Sequence, residues 1–409
     1  MRSSPAVPLP RARRGFAAVV VAQFFSSLAD NALLMAAIGL LLERQAAAWM
    51  TPALRLFFYL SYVLLAPFAG AVADALPKGR VMVITNLIKL GGCLLLLTSL
   101  HPLLAYALIG CGAAAHSPAK YGILPELLPP GRLVAANAWI EISTVMSILL
   151  GVVLGSFLLE AGSRVPRWVQ GDAANAAALL AVLYALATLC TAMIPSSVAS
   201  NPAALRHPSN LLRDFHKALL ILWRDPRGQI SLAVTSLFWS VAAALQFIVL
   251  RWAMDYLHLS LAQAGLLQGA VALGMVAGAM IAARWVPLQR ALQVLPLGGG
   301  LGAILLLMPW VNSVALAALL LGLTGLLAGV FLVPMNALLQ QRGQALMHTG
   351  QSISIQNFSE NLASLLMLGV YGALLGWHTA TLPIIVGLGL TVSIAMLVIV
   401  RRQSMYGRA

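Results

Sequence analysis

The feature that most constrains this chain is the recurrence of apolar runs roughly 20 residues long, one after another from Phe16 to Val400. A helix rises about 1.5 Å per residue, so each run is long enough to cross ~30 Å of hydrocarbon. In lipid only a helix or a closed barrel satisfies every backbone polar group. About twelve runs are read, at roughly 15–42, 53–74, 80–100, 102–124, 133–160, 173–194, 228–256, 262–286, 289–311, 312–333, 347–376 and 380–402. The fold class that follows is an all-α polytopic membrane protein of about twelve transmembrane helices. Pro67, Pro118 and Pro296 lie in or near these runs and are expected to kink rather than break them. Composition removes the alternatives. Only 9% of residues are charged, against about 25% in soluble domains, and 61% are hydrophobic, which excludes most soluble enzymes and intrinsic disorder. Cys93, Cys111 and Cys190 are scattered without C-x-x-C spacing, so no disulfide scaffold is indicated.

The net charge of +14 would suggest nucleic acid on a soluble protein, but here the basic residues sit between the apolar runs and act as topology signals. No nucleic-acid partner is expected. One set of alternate loops holds Arg2, Arg11, Arg13, Arg14, Lys78, Arg80, Lys120, Arg132, the five basic residues from Arg206 to Arg227, Arg284, Arg290, Arg342, Arg401, Arg402 and Arg408. The other holds Arg44, Arg55, Arg164 and Arg167. That asymmetry places both termini in the cytoplasm and requires an even number of spans. Ser27-Leu28-Ala29 is a passable signal-peptidase site, but Asp30, Asn31 and further apolar sequence to Leu42 suit a retained first helix.

The longest polar stretch splits the chain nearly in half. It interleaves Leu211, Leu212, Phe215, Leu219, Leu220 and Trp223 with Arg213, Asp214, Lys217 and Arg224, the pattern of an amphipathic helix on the inner leaflet. The domain reading is a six-helix bundle over 1–194, a cytoplasmic linker over 195–227 and a second six-helix bundle over 228–409. A weak internal echo accompanies it: Gly70-x-x-x-Asp74 with Pro77-Lys78-Gly79-Arg80 is paralleled by Gly278-x-x-x-Ala282 with Pro287 and Arg290.

The first of these copies resembles the loop signature of the major facilitator superfamily, and Gly70, Asp74, Lys78 and Arg80 are expected to form a cytoplasmic gate. The plainer reading is an ordinary positive-inside turn. Ionisable groups at membrane depth are the next signal, because a charge there costs at least a few kcal/mol. Asp30 stands midway along the first run beside Asn31, and Glu360 lies in a polar island with Gln356, Asn357, Ser359 and Asn361. Glu141, Lys89 and Arg251 complete the set; for Lys89 and Arg251, snorkelling or a structural interhelix pair competes with a functional role. Ser117-x-x-Lys120 matches an acylating-serine pattern too short to carry chemistry alone. A better use is an anionic-headgroup site, with Lys120 as the charge and His116 and Ser117 as donors. Gly151/Gly155, Gly274/Gly278, Gly298/Gly302 and Gly325/Gly329 sit one turn apart and are expected to be helix-packing seams. No G-x-x-x-x-G-K-[ST], H-E-x-x-H or spaced Cys/His set occurs, so neither an enzyme, a cofactor nor a metal site is expected.

Longer segments carry a more specific resemblance. They include Val21-Ala22-Gln23-Phe24-Phe25 leading to Ala29-Asp30-Asn31-Ala32-Leu33-Leu34, Ala66-Pro67-Phe68, and Ser117-Pro118-Ala119-Lys120-Tyr121-Gly122-Ile123-Leu124. Thr235-Ser236-Leu237-Phe238-Trp239, Val333-Pro334-Met335-Asn336 and Gln356-Asn357 with Glu360-Asn361 continue it. On these the chain resembles the lysophospholipid transporter LplT family, a branch of the major facilitator superfamily. The resemblance implies a flippase of the Gram-negative inner membrane, delivering lysophosphatidylethanolamine and lysophosphatidylglycerol to the cytoplasmic leaflet for re-acylation by an acyltransferase/acyl-carrier-protein synthetase. For such a substrate Asp30, Asn31, His116, Lys120, Asn357 and Glu360, singled out above by depth and chemistry, are the candidate substrate-binding residues. The resemblance also implies a basic residue soon after Trp239, where this chain has Gln246; either Arg251, five residues later, takes over that charge or Lys120 alone meets the phosphate, and Gln246 and Arg251 are both candidate substrate-binding residues. Two other readings are a proton-coupled exporter of amphipathic drugs and a non-transporting scaffold that docks the acyltransferase through the linker.

Overall fold

The computed structural model describes residues 9–47, 49–96, 101–161, 172–195 and 199–406. Arg2, Arg164, Arg167 and Arg408, used above for orientation, lie outside the described residues. The elements are α-helices with short 3₁₀ turns, and no strand occurs among the described residues. In order they are α1 (Leu9–Glu43), α2 (Met50–Ala75), α3 (Lys78–Leu95), α4 (Pro102–Gly122), the single turn α5 (Leu124–Leu127), α6 (Leu133–Ala161) and α7 (Asp172–Ala192). After the linker come α8 (Leu211–Arg224), α9 (Pro226–Leu257), α10 (Leu261–Trp285), α11 (Pro296–Leu307), α12 (Val314–Leu346), α13 (Thr349–Gly376) and α14 (Thr381–Tyr406).

Among the described residues, nine helical segments are long and apolar enough to cross a membrane. Three further helices, α3, α4 and α7, occupy the positions of the expected third, fourth and sixth spans. Lys78, Arg80 and Lys89 all fall within the 18 residues of α3, which lowers its apolarity without shortening it. Pro67 and Pro118 lie inside α2 and α4. Pro296 differs from expectation: it opens α11 after a 3₁₀ stretch over Leu288–Val294, at the first-turn position where a missing N–H leaves no bond unmade.

The chain forms two compact units. The first comprises 1–129, 146–219 and 343–358; the second comprises 130–145, 220–342 and 359–409. Each therefore draws on sequence from both sides of the 195–227 linker. In the first unit α2 packs on α4, α1 on α7, and α3 on both α4 and α7. Its core includes Leu33, Leu54, Ile109, Leu180 and Tyr184. Against α1 lies the later part of α6, where a Cβ at Gly155 would meet the Ala32 carbonyl at 2.6 Å.

In the second unit α11 and α9 both pack on α14, and α10 packs on α9. Here the glycine pairs form a seam. A Cβ at Gly274 or Gly278 would run into the carbonyls of Gly322 and Leu326, and one at Gly325 or Gly329 into those of Val271 and Met275. Helices α10 and α12 thus meet backbone to backbone, the close approach that small residues permit in lipid. Gly298 and Gly302 serve the same purpose where α11 faces Met396 and Ser393 of α14.

Candidate functional site

Asp30 and Lys89 form an ion pair inside the first unit. Nζ of Lys89 lies 2.7 Å from Oδ2 of Asp30, and the lysine side chain is 3% exposed. Three helices build the surroundings. From α7 the Tyr184 hydroxyl donates to Asp30 Oδ1 at 2.7 Å. Lys89 also donates to Ser26 Oγ at 3.0 Å, Ser26 donates to Asn86 Oδ1 at 3.0 Å, and Asn86 donates to Thr191 Oγ1 at 3.0 Å. The cluster spans α1, α3 and α7, and its neutral members satisfy the ion pair in place of water. Lys89 is therefore a buried interhelix partner and does not snorkel. Asn31 stands apart from the cluster, its amide returned to the Ser27 carbonyl of its own helix at 2.8 Å.

Sequence reasoning singled out Asp30 and Lys89 and missed Tyr184, Ser26, Asn86 and Thr191. The missing signal was helical spacing. Ser26 and Asp30 are four apart on α1, Asn86 and Lys89 three apart on α3, and Tyr184 and Thr191 seven apart on α7, each pair on one helix face.

A second group in the same unit joins α4 to the start of α13. His116, Ser117 and Lys120 are all buried. Ser117 donates to Asn357 Oδ1 at 3.3 Å. Thr85 gives its hydroxyl proton to the Met82 carbonyl at 3.0 Å, so its 3.0 Å contact with His116 Nδ1 requires the ring to be the donor. In the neutral ring Nε2 is then a buried acceptor without a partner among the described residues. The expectation of His116 and Ser117 as donors to a phosphate changes accordingly, since both protons are already committed. Lys120, its ammonium 4.2 Å from the centroid of the Tyr121 ring, supplies the positive charge.

The gate residues are organised around Asp74 and Lys78. Asp74 Oδ1 and Oδ2 accept from the backbone amides of Gly350 and Gln351 at 2.9 and 2.8 Å, so one carboxylate caps the start of α13. Ser200 donates to the same Oδ1 at 2.9 Å. Gly70 allows this approach, because a Cβ there would lie 2.9 Å from that of Ser354 and 3.0 Å from the Gln351 backbone. Lys78 is fully buried, 2.5 Å from Glu126 and 3.9 Å from Asp74. The basic partner of Asp74 is thus Lys78, one turn along, while Arg80, expected in the same gate, is exposed.

In the second unit the membrane-depth groups are arranged differently. Buried Glu141 accepts from Asn336 Nδ2 at 3.3 Å, and Asn137 and Gln340 exchange two hydrogen bonds of 2.9 and 2.7 Å between α6 and α12. Glu360 is buried on α13, where its carbonyl accepts from Ser364 at 2.7 Å. Gln246 is exposed, its carbonyl accepting from Gln268 Nε2 at 2.9 Å. Arg251 pairs with Asp255, one turn along the same helix, at 3.4 Å, both side chains nearly half exposed. Such an exposed pair contributes about 0–1 kcal/mol. At the start of α9, Asp225 accepts from the Gly228 amide at 2.8 Å and binds Arg342 through Nε at 2.9 Å and through Nη2. Burial pushes its carboxyl up, but the hydrogen bonds from Arg342 and Gly228 outweigh this and hold it below the ordinary aspartate value. No cluster of metal-ligating side chains occurs among the described residues.

Residues 18–252 match the family model described as Major Facilitator Superfamily. The chain is 41% identical over 363 residues to the "Lysophospholipid transporter LplT" of Yersinia enterocolitica, covering 88% of this chain and 87% of that protein. The transporter of the same description from Yersinia pestis matches at the same identity and coverage. Among solved structures, the human organic anion transporter MFSD10 superposes with a TM-score of 0.73 at 19% identity, covering 94% of this chain and 99% of that one. The transporter FucP in the outward conformation gives 0.74 at 12% identity, covering 95% and 98%. At these identities the structural likeness concerns the fold.

Proposed function

This chain belongs to the lysophospholipid transporter LplT family of the major facilitator superfamily, and from that premise we propose that it flips lysophospholipids to the cytoplasmic leaflet of the bacterial inner membrane. What carries the reading is the likeness to the Yersinia transporters along nearly the whole chain. Lysophosphatidylethanolamine and lysophosphatidylglycerol are the proposed substrates, moved by alternating access of two helical halves with both termini cytoplasmic. An acyltransferase/acyl-carrier-protein synthetase is the proposed consumer of the product.

The chemistry of the first unit supports a zwitterionic head. Asp30 already holds one ammonium, that of Lys89, at 2.7 Å, and an ethanolamine ammonium of the same charge competes for it. The displaced Lys89 then becomes available to a phosphate, with Lys120 as a further cation. The His116 acceptor suits an ammonium or a hydroxyl of the head better than a phosphate oxygen. Glu360 is the proposed second acid, and Asp74 with Lys78 the proposed cytoplasmic clasp, tying the start of α13 while the head is exchanged on the other side.

The test is transfer of labelled lysophosphatidylethanolamine by the purified protein in proteoliposomes, read by re-acylation with added enzyme on the inner-leaflet side. Asp30→Asn and Glu360→Gln are expected to lower the rate at least tenfold. Full activity in both variants removes the assigned roles. Transport that survives dissipation of a proton gradient argues against the drug-exporter alternative.

A further inference from the structure

We infer that the outer end of the second unit carries a binding site for a phosphoethanolamine head, built from Arg251 and Asp255 of α9 beside Tyr371 of α13, where the lysolipid is captured before it enters the protein. The inference rests on the lysophospholipid reading and on the orientation proposed above. Arg251 stands 25 residues into α9, about 38 Å from the helix start and so beyond the ~30 Å that hydrocarbon occupies. Exposed aromatic side chains mark the same level, Tyr256 beside Asp255 and Trp377 just past the end of α13, as they do where a chain meets lipid heads.

The pair is poorly placed for holding α9 together. Asp255 lies in the last turn of the helix, where the dipole disfavours an acid, and that turn has no basic residue. The order Arg251 then Asp255, four apart, is the weaker of the two arrangements on a helix. Both side chains are nearly half exposed, so their mutual attraction is weak. Asp255 is steadied from elsewhere: its Oδ2 accepts from the hydroxyl of Thr381, the first residue of α14, at 3.0 Å. The Tyr371 hydroxyl lies within hydrogen-bonding reach of the Arg251 guanidinium. Three helices thus hold one positive and one negative group 3.4 Å apart at the level of the outer lipid heads. Snorkelling accounts for a lone arginine there, but not for an acid set beside it against the dipole.

A phosphoethanolamine head carries the complementary pair, a phosphate and an ammonium two methylenes apart. The guanidinium fork takes the phosphate oxygens and the carboxylate takes the ammonium; because the resident pair is weak, opening it costs the site little. A phosphate alone is repelled by Asp255, and an amine alone by Arg251. The site therefore favours a zwitterionic head over the anionic head of lysophosphatidylglycerol. It also gives α9 a phosphate-binding cation although Gln246 carries no charge.

Two measurements on the full protein in proteoliposomes test this. In the first, lysophosphatidylethanolamine and diacyl phosphatidylethanolamine are supplied in equal amounts and a water-soluble carbodiimide is added. The reagent activates the Asp255 carboxyl, the amine of a bound head attacks it, the urea leaves, and an amide bond fixes the lipid to the protein. Mass spectrometry of the peptide holding Asp255 is expected to show the lysolipid adduct, reduced at least fivefold in Arg251→Gln. Adducts of the diacyl lipid alone make the occupant a resident bilayer lipid and overturn the capture role. A yield unchanged in Arg251→Gln reports chance coupling of an exposed acid and overturns the site. In the second, Asp255→Asn is expected to raise KM for lysophosphatidylethanolamine at least fivefold more than KM for lysophosphatidylglycerol, whereas Arg251→Gln raises both. Equal shifts for the two heads in Asp255→Asn, or none, overturn the assignment. Failure of wild-type protein to move either lysolipid overturns the transport reading instead, and the carbodiimide adduct then still decides whether the head binds.

Discussion

The two units solve the problem of polar groups at membrane depth in opposite ways. In the first, an acid and a base neutralise each other, Asp30 against Lys89, and four neutral side chains complete the shell. In the second, the buried carboxylate Glu141 receives an amide from Asn336, amides pair with amides at Asn137 and Gln340, and a cavity without charge lies among the helices. An ion pair can be opened and re-formed by a competing charge, whereas an amide pair offers a substrate little reason to intervene. The difference teaches how a charge is kept at depth: the first unit sets Asp30 against a basic partner from another helix, whereas the second meets Glu141 with a neutral amide.

The comparison breaks most sharply at Lys89. Lys89→Met leaves the partly buried Asp30 carboxylate with only Tyr184, and is expected to cost about 2–3 kcal/mol of stability. Chemical unfolding in detergent measures this. Adding Asp30→Asn should recover most of the loss without restoring transport; wild-type transport in the double variant makes the pair structural only. Next comes Asp74→Ala, which strips two amides of α13 of their acceptor at about 2 kcal/mol, with faster hydrogen exchange at Gly350 and Gln351 as the local readout.

In the second unit, Gln340→Ala leaves the Asn137 amide half satisfied and should cost about 1–2 kcal/mol, while Asn137→Leu with Gln340→Leu together should be nearly neutral. A large loss in the double variant means the amide pair does more than satisfy itself. The smallest effect concerns Asp225. Its carboxyl is held below the ordinary value, so it binds protons less readily folded than unfolded. Its contribution is present above the unfolded aspartate value of about 3.9 and is lost as pH falls through the depressed folded value. Asp225→Asn is expected to flatten the acid limb of the stability profile, by roughly 1 kcal/mol at most. An unchanged acid limb shows that the Arg342 pair carries no linkage.

Much of this was legible in the sequence and some was not. The apolar runs announce the helices because lipid leaves the backbone no other open-chain choice, and the paired glycines announce the seams because only their backbones can touch. Asp30 was visible as a charge where charge is costly. Its partners were not, because period gives the face of a helix but not which helix it faces. Lys89 was equally compatible with snorkelling, and Tyr184 with an ordinary aromatic filler. Distance along the chain hid the rest: the amides capped by Asp74 lie 276 and 277 residues away, and no local pattern around Gly350 points back to them. Glu126 as the partner of Lys78 required the turn at α5, which hydropathy does not resolve.

The seam between α10 and α12 has a thermal consequence. Glycines have no rotamers to surrender, so the contacts of Gly274 and Gly278 with their neighbours form without the side-chain entropy that interlocked leucines give up on ordering. A joint of that kind should loosen little on warming, and α10 and α12 should breathe together as one rod. Their mid-helix amides are expected to be among the slowest in the protein to exchange with deuterium, with protection that rises and falls in step.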